Sequence, residues 1–162
     1  MIIGLISDSH DHINHLRQAL AVFQAQHVDL VVHAGDMISP GVMQIFRGMN
    51  VAAVFGNNDG EKYGLLRLFD DNGWRLQGEF LELEVSEKHM AVYHGTVPAM
   101  RDALIAAGRF HYVVHGHTHR PENKFFGSTL ALNPGTAHGF GTQATVMILD
   151  TNQDRVSLIE LE

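Results

Sequence analysis

The sequence predicts an α/β fold in which two packed β-sheets form a β-sandwich flanked by helices. Over about the first seventy residues, short β-branched runs alternate with runs of helical periodicity, which favours parallel strands joined by crossover helices. From residue 80 onward the pattern changes to closely spaced strands, the first with the alternation of a half-solvated antiparallel strand. With 162 residues, we expect one domain spanning residues 1–162.

Three apolar runs and three helical segments make up the first part of the chain. The run from Ile2 to Ile6 is closed by Ser-Asp, which is typical of a buried strand. The segment 13–26 carries apolar residues at helical spacing, and Pro40 near the start of 40–48 favours a short helix there. The predicted strands are 2–6, 28–32 and 51–55, and the predicted helices are 13–26, 40–48 and 63–69.

The second part of the chain is richer in strands. Residues 80–85 read Phe-Leu-Glu-Leu-Glu-Val, and a helix over 98–107 is closed by Gly108. The predicted strands here are 80–85, 89–93, 112–114, 124–126, 129–132, 144–149 and 156–161.

Composition excludes several classes of function. The chain has no cysteine, so disulfides, thiolate metal sites and a cysteine nucleophile are excluded. A net charge of −7 argues against a basic surface that would bind duplex nucleic acid. No apolar stretch approaches the ~20 residues of a membrane span, and no basic signal-peptide region is present, so we expect a cytoplasmic protein. The 12 histidines outnumber the 11 lysines and arginines together.

Polar clusters follow five of the predicted strands. Because ligands gather beyond the carboxyl ends of strands in α/β sheets, these clusters are expected to share one cleft. Residues i and i+2 of an extended segment point the same way, so Asp8 and His10 can face one metal, as can His117 and His119. Alone, each cluster is as well explained by a turn, a polar loop or a structural histidine, but five at strand ends favour a mixed oxygen and nitrogen metal site. The clusters are Asp8-Ser9-His10, Gly35-Asp36, Gly56-Asn57-Asn58-Asp59, His94-Gly95 and Gly116-His117-Thr118-His119.

In this order the clusters resemble the signature of the calcineurin-like metallophosphoesterases. The short chain, without cap domains, is similar to the small phosphodiesterases of the YfcE type. The resemblance implies two divalent metal ions, with Mn²⁺ favoured and Ni²⁺, Co²⁺, Fe²⁺, Zn²⁺ or Mg²⁺ as alternatives. It implies that one ion binds Asp8, His10, His119 and the bridging Asp36, and that the other binds Asp36, Asn57, His94 and His117.

One position departs from the family pattern. Many members carry a histidine directly after the ligand asparagine, and here that position is Asn58. Asn58 lacks the proton of a general acid but can donate a hydrogen bond to a phosphoryl oxygen. His12 and His138 are the candidate proton donors in its place, and the simpler interpretation of each is a solvated loop histidine. His138 follows Asn133-Pro134-Gly135-Thr136, which resembles a late Asn-Pro-Gly segment of the family.

The resemblance implies hydrolysis of small phosphodiesters by in-line attack of a metal-bridging hydroxide. A phosphomonoesterase, a nucleotide pyrophosphatase and a weakly active interaction scaffold of the retromer kind remain alternatives. The expected partner is a small phosphoester substrate, and exposed strand edges favour a homodimer or homotetramer. Of the other histidines, we expect His33 and His115 to support the strands, and His15, His27, His89 and His111 to lie on the surface.

Overall fold

Two β-sheets lie face to face, with helices on their outer surfaces, in the computed structural model, which describes residues 1–162. The strands are β1 Ile2–Ile6, β2 Leu30–His33, β3 Val51–Ala53, β4 Arg75–Leu76, β5 Phe80–Val85, β6 Lys88–Tyr93, β7 Tyr112–Val114, β8 Glu122–Phe126, β9 Thr129–Asn133, β10 Thr145–Asp150 and β11 Arg155–Glu160. The helices are α1 Ile13–Ala25, α2 Pro40–Met43, α3 Lys62–Asp71 and α4 Pro98–Ala106, with a 3₁₀ turn over Gln44–Phe46.

The first sheet has the strand order β11-β10-β1-β2-β3-β4. Strands β1 to β4 pair in parallel, as the alternation of strands and helices predicts, and β10 and β11 extend the sheet antiparallel. Gly4 in β1 lets helix α1 pack closely, because a Cβ there would lie 2.8 Å from Cδ1 of Phe23. A glycine inside a strand often marks such a close approach.

The second sheet has the strand order β5-β6-β7-β9-β8. Its inner strands β6, β7 and β9 are parallel, and β5 and β8 are antiparallel edges. In β5, Leu81, Leu83 and Val85 are buried while Phe80 and Glu84 are exposed, which confirms the predicted alternation.

Apolar residues fill three layers and so fix the order helix, sheet, sheet, helix. A cluster of 17 buried residues, including Leu5, Val32 and Val92, joins the inner faces of both sheets. A second cluster packs α1 and α3 on the first sheet, and a smaller one packs Ile105 of α4 on the second. Burying one such side chain stabilises the fold by about 1.5–3 kcal/mol. The predicted fold class is confirmed, and no helix has both the length and the apolar character to cross a membrane.

The structure departs from the predicted elements in several places. The strand predicted over 28–32 begins only at Leu30, and the strand predicted over 51–55 ends at Ala53. The helix predicted over 40–48 is wrong in length, because it ends at Met43 and tightens into the 3₁₀ turn, after which Arg47 is extended. Strand β4 was not predicted, since two residues carry no periodicity and only pairing with β3 defines them.

Candidate metal centre

The clusters expected to share a cleft lie together at one end of the sandwich. They follow β1, β2 and β3 of the first sheet and β6 and β7 of the second. Backbone hydrogen bonds join the loops: Asp8 N donates to Gly35 O (3.0 Å), His10 N to Asp36 O (3.0 Å) and Gly116 N to His94 O (2.9 Å). A hydrogen bond from His117 N to Asp8 Oδ2 (3.1 Å) then links the loops of the two sheets into one surface.

Two buried carboxylates stand among the imidazoles. Asp8 Oδ1 lies 3.1 Å from His119 Nε2 and 3.9 Å from His94 Nε2. Asp36 Oδ2 lies 3.4 Å from Nε2 of both His10 and His94. Two overlapping groups have ligand atoms within 4.8 Å of one another, and these are Asp8, His10, His119 and Asp8, Asp36, His94. Asp8 belongs to both groups, and Asp36 lies between His10 and His94.

Three buried side-chain atoms of this cluster lack a hydrogen-bond partner. They are Asp8 Oδ1, His10 Nε2 and His94 Nε2, and no other buried side-chain nitrogen or oxygen is left so. An unpaired buried polar group costs about 1–3 kcal/mol, and buried polar groups are almost always paired. Three such atoms converging in one cluster fit a site for divalent metal ions.

The surrounding structure turns these atoms toward the cluster. His94 Nδ1 hydrogen-bonds Ala34 O at 2.8 Å, which leaves Nε2 facing the carboxylates. A hydrogen bond at one ring nitrogen is the usual means of orienting the other toward a metal. Asp8 Oδ2 accepts from Ser7 Oγ (2.6 Å) and from His117 N (3.1 Å), so Oδ1 is the atom left free.

Burial and neighbouring charges oppose each other in the pKa values of these groups. Burial acts to raise the pKa of Asp36, but the nearby His94 imidazole and hydrogen bonds from Asn58 outweigh it and hold the pKa below its ordinary value. Burial lowers the pKa of His10 by more than Asp36 and Asp8 raise it. Burial also acts to lower the pKa of His94, but Asp36 and Asp8 raise that pKa by more. An ionised Asp36 and a neutral His10 are the protonation states that bind a metal.

Five of the seven candidate ligands also share an unusual backbone conformation. Positive φ angles are found at Asp8 (52°), His10 (41°), Asp36 (61°), His117 (66°) and His119 (57°). The left-handed region costs a residue with a side chain about 1–2 kcal/mol, and such residues concentrate at functional sites. The fold therefore maintains strain in the residues that would hold the metal.

The loop after β3 fixes Asp36 from the opposite side. Asn58 N donates to Asp36 Oδ1 at 2.8 Å, and Asn58 Nδ2 donates to Asp36 Oδ2 at 2.7 Å. Asn57 is exposed, and its Oδ1 accepts from Thr96 Oγ1, in the loop after β6 of the second sheet, at 3.5 Å. Asn58, predicted to contact a phosphoryl oxygen, thus uses one of its two side-chain N–H donors on Asp36 and keeps the other.

Asp59, to which the sequence assigned no separate role, is the anchor of two loops. Its buried carboxylate accepts backbone N–H bonds from Gly56 (2.6 Å), Ile38 (2.7 Å) and Asp36 (3.1 Å). Burial raises the pKa of Asp59 despite these hydrogen bonds. The contacts hold the Asp36 loop against the Asn57 loop.

The two histidines predicted as proton donors differ in position. His12 is the N-cap of α1, where its side chain accepts from His15 N at 3.3 Å. The His138 ring lies 6.1 Å from the His10 ring and 5.1 Å from the His12 ring. His138 Nδ1 also accepts from Phe140 N at 3.3 Å. The His138 ring therefore lies beside the candidate ligand His10, at the border of the cluster.

Phe140 is the residue at this site that the sequence analysis missed. Its ring centroid lies 4.5 Å from that of His10, 5.1 Å from that of His119 and 3.8 Å from that of His138. The side chain is nevertheless 46% exposed. An aromatic residue between two glycines, Gly139 and Gly141, is the signal that could have drawn attention to it.

Other histidines support the site from behind. His33 Nε2 hydrogen-bonds Ser9 Oγ at 2.9 Å, and burial lowers the pKa of His33 to about 3. His115 Nε2 hydrogen-bonds Glu122 Oε2 at 2.9 Å, and burial lowers the pKa of His115. The expectation that His15 is a surface residue is wrong, because it is half-buried and its Nδ1 hydrogen-bonds Ala137 O at 2.8 Å. His27, His89 and His111 are exposed.

Fold and site together define a phosphoesterase. Residues 1–154 match the family model of the calcineurin-like phosphoesterase superfamily domain. The chain belongs to this superfamily, as the resemblance of the strand-end clusters implied, and is a phosphoric ester hydrolase.

Individual relatives agree along the whole chain. A phosphodiesterase of Methanocaldococcus jannaschii is 34% identical over 166 residues, which cover 100% of both chains. The solved structure of an archaeal phosphodiesterase is 33% identical, with a TM-score of 0.94 over 99% of this chain and 100% of that one. The YfcE phosphoesterase of E. coli, 19% identical, shares the fold with a TM-score of 0.71 over 100% of both chains.

Proposed function

We propose that this phosphoesterase hydrolyses small phosphodiesters with the help of two divalent metal ions. The observation that carries the proposal is the convergence of three unpartnered buried ligand atoms, on Asp8, His10 and His94, at the strand ends. The preference for diesters is supported by the full-length similarity to the phosphodiesterase of Methanocaldococcus jannaschii and to the solved structure named as an archaeal phosphodiesterase.

The proposed ligand sets are those implied by the resemblance. When bound, the two ions would activate a water for in-line attack on phosphorus and would offset charge on the phosphoryl oxygens. The closeness of Asp36 Oδ2 to both His10 and His94 supports Asp36 as the bridge. Manganese as the metal, like a cytoplasmic location, stays a prediction of the sequence. One ion would bind Asp8, His10, His119 and Asp36, and the other Asp36, Asn57, His94 and His117.

The chain's own residues divide the remaining work. Asn58 holds both oxygens of Asp36, so its first role is to orient that carboxylate. Since Nδ1 of His138 accepts from Phe140 N, the neutral ring carries its proton on Nε2, and His138 can donate a hydrogen bond to the leaving oxygen. His12 is less suited, because its ring already caps helix α1.

The His138 role has its own test. In His138→Gln, hydrolysis of methyl phenyl phosphate, whose phenolate is a poor leaving group, should fall more than hydrolysis of methyl p-nitrophenyl phosphate, whose p-nitrophenolate is a good one. Equal losses for both leaving groups would contradict the role.

The main experiment compares three phosphoester classes. We expect Mn²⁺-dependent hydrolysis of bis-p-nitrophenyl phosphate that EDTA abolishes, and slower turnover of p-nitrophenyl phosphate and of a nucleoside diphosphate ester. Faster turnover of the monoester would indicate a phosphomonoesterase, and faster cleavage of the diphosphate a nucleotide pyrophosphatase. Metal binding without turnover with Mn²⁺, Ni²⁺, Co²⁺ or Mg²⁺ would favour a scaffold.

A further inference from the structure

We propose that Phe140 is a positioning residue that orients His10 and His119 for one of the two metal ions. The inference rests on the proposed metal centre and extends it. In the half of that centre that contains His10 and His119, neither imidazole has a hydrogen bond that fixes its orientation, whereas the other half contains the hydrogen-bonded His94.

The imidazoles of the cluster do not share one kind of restraint. His94 is oriented by the 2.8 Å hydrogen bond from its ring to Ala34 O. Such a bond is the usual means of fixing a metal-binding histidine. His10 and His119 have no such bond, because no protein group hydrogen-bonds Nδ1 of either ring. Each meets only a carboxylate through Nε2, at 3.4 Å from Asp36 and 3.1 Å from Asp8 respectively.

Phe140 contacts two rings that lack this hydrogen bond, His10 and His119. It meets the His10 ring edge to face at an interplanar angle of 86° and lies nearly parallel to the His119 ring at 12°. Both arrangements are favoured geometries for aromatic pairs at these separations. Phe140 therefore contacts two of the three candidate-ligand imidazoles that lack a hydrogen-bond orienter. The third, His117, lies against the ring of His94, with 5.2 Å between the ring centroids.

The loop backbone is shaped to present this ring. Three successive residues have positive φ, with Gly139 at 98°, Phe140 at 30° and Gly141 at 77°. Thr142 Oγ1 donates to Gly139 O at 2.7 Å, and Gly139 N donates to Thr136 Oγ1 at 3.3 Å, which closes the turn. A half-exposed phenylalanine in a left-handed conformation gains little from core packing, so its contacts with the imidazoles are its evident role.

The two metal ions should consequently depend differently on Phe140. Removing the ring frees His10 and His119 to rotate. The affinity for the ion that they would bind together with Asp8 should then fall. The affinity for the other ion should not change, because the His94 ring keeps its hydrogen bond to Ala34 O and does not contact Phe140. Loss of an orienting group weakens metal binding by about 10- to 100-fold.

The test titrates metal-free protein with Co²⁺ and follows the visible absorption of the bound ion, with total bound metal measured separately. We expect Phe140→Ala to weaken one of two binding events about tenfold and to leave the other unchanged. Phe140→Tyr should restore both, since the ring is kept. Phe125→Ala, which removes another exposed phenylalanine from β8, serves as the matched control.

Thermal unfolding of each metal-free variant establishes that the fold is intact. Binding curves of Phe140→Ala identical to those of the unchanged protein, or two events weakened equally, would overturn the inference while leaving the metal centre in place. If the unchanged protein fails to bind two Co²⁺ ions, the proposed centre itself is refuted, and the role of Phe140 with it.

Discussion

The carboxylate of Asp59 should matter for stability as much as for activity. Asp59→Ala removes the acceptor of three backbone N–H groups, at Gly56, Ile38 and Asp36. A hydrogen bond to a charged group contributes about 1.5–3 kcal/mol. Burying the charge of Asp59, which raises its pKa, costs free energy and offsets part of the total contribution of the three hydrogen bonds. We therefore expect a loss of about 4 kcal/mol in the free energy of unfolding, a large fraction of the roughly 5–15 kcal/mol typical of a domain.

The conservative change should cost less. Asp59→Asn keeps one acceptor oxygen but turns an amide N–H toward a backbone donor, so we expect a loss of about 2 kcal/mol. Both variants loosen the Asp36 loop against the Asn57 loop, and phosphodiester hydrolysis should fall about 10- to 100-fold.

The assay is urea unfolding of the metal-free protein, followed by the fluorescence of Trp74, the single tryptophan, which is buried. Asp71→Asn is the control, because this carboxylate is 65% exposed at the end of α3. A surface change of this kind should alter stability by less than about 0.5 kcal/mol. Asp59→Ala within about 0.5 kcal/mol of the unchanged protein would refute the anchoring role.

Three further changes have defined outcomes. Asp36→Ala should lose bound Mn²⁺ and turnover together, because it removes the carboxylate between His10 and His94; elemental analysis showing full metal content would contradict the two-metal proposal. Since burial lowers the pKa of His33 to about 3 from 6.5, the unfolded chain binds the proton first, and stability of the metal-free protein should fall as the pH drops from about 6.5 to about 3. Urea unfolding across this range should show a slope of up to about 1.4 kcal/mol per pH unit from this group, absent in His33→Gln; identical slopes would rule it out. Gly56→Ala should abolish metal binding in a Co²⁺ titration, because its Cβ would overlap Asp36 Oδ1, whereas Gly60→Ala meets nothing within 4 Å and should bind normally.

The placement of the candidate ligands at one edge was predictable from local patterns. Short buried runs identify β1, β2 and β3, and polar residues follow each of them within a few positions. Parallel pairing then brings their carboxyl ends together, whatever the details of packing. Asp8 and Asp36 could therefore be predicted to meet without any knowledge of distances.

The features that could not be predicted from the sequence depend on contacts between segments that are distant along the chain. Asn58 faces Asp36 because the β2 and β3 loops touch, and a single sequence does not report that contact. His12 caps α1, although its spacing from His10 suggested chemistry. Phe140 reaches His10 only because the chain returns past β1 after β9. Strand β4 exists only through its pairing with β3.

Five candidate ligands have a left-handed backbone conformation that lowers the stability of the fold but is needed for the site. They are Asp8, His10, Asp36, His117 and His119. Glycine would relieve the backbone at each position but would remove the ligand, so mutations selected for thermal tolerance alone would drift toward an inert protein. Bound metal counters this, since a ligand present at about a hundred times its Kd stabilises the folded state by about 2.7 kcal/mol. Bound metal ions would thus offset the stability that the metal-free protein loses to these left-handed conformations.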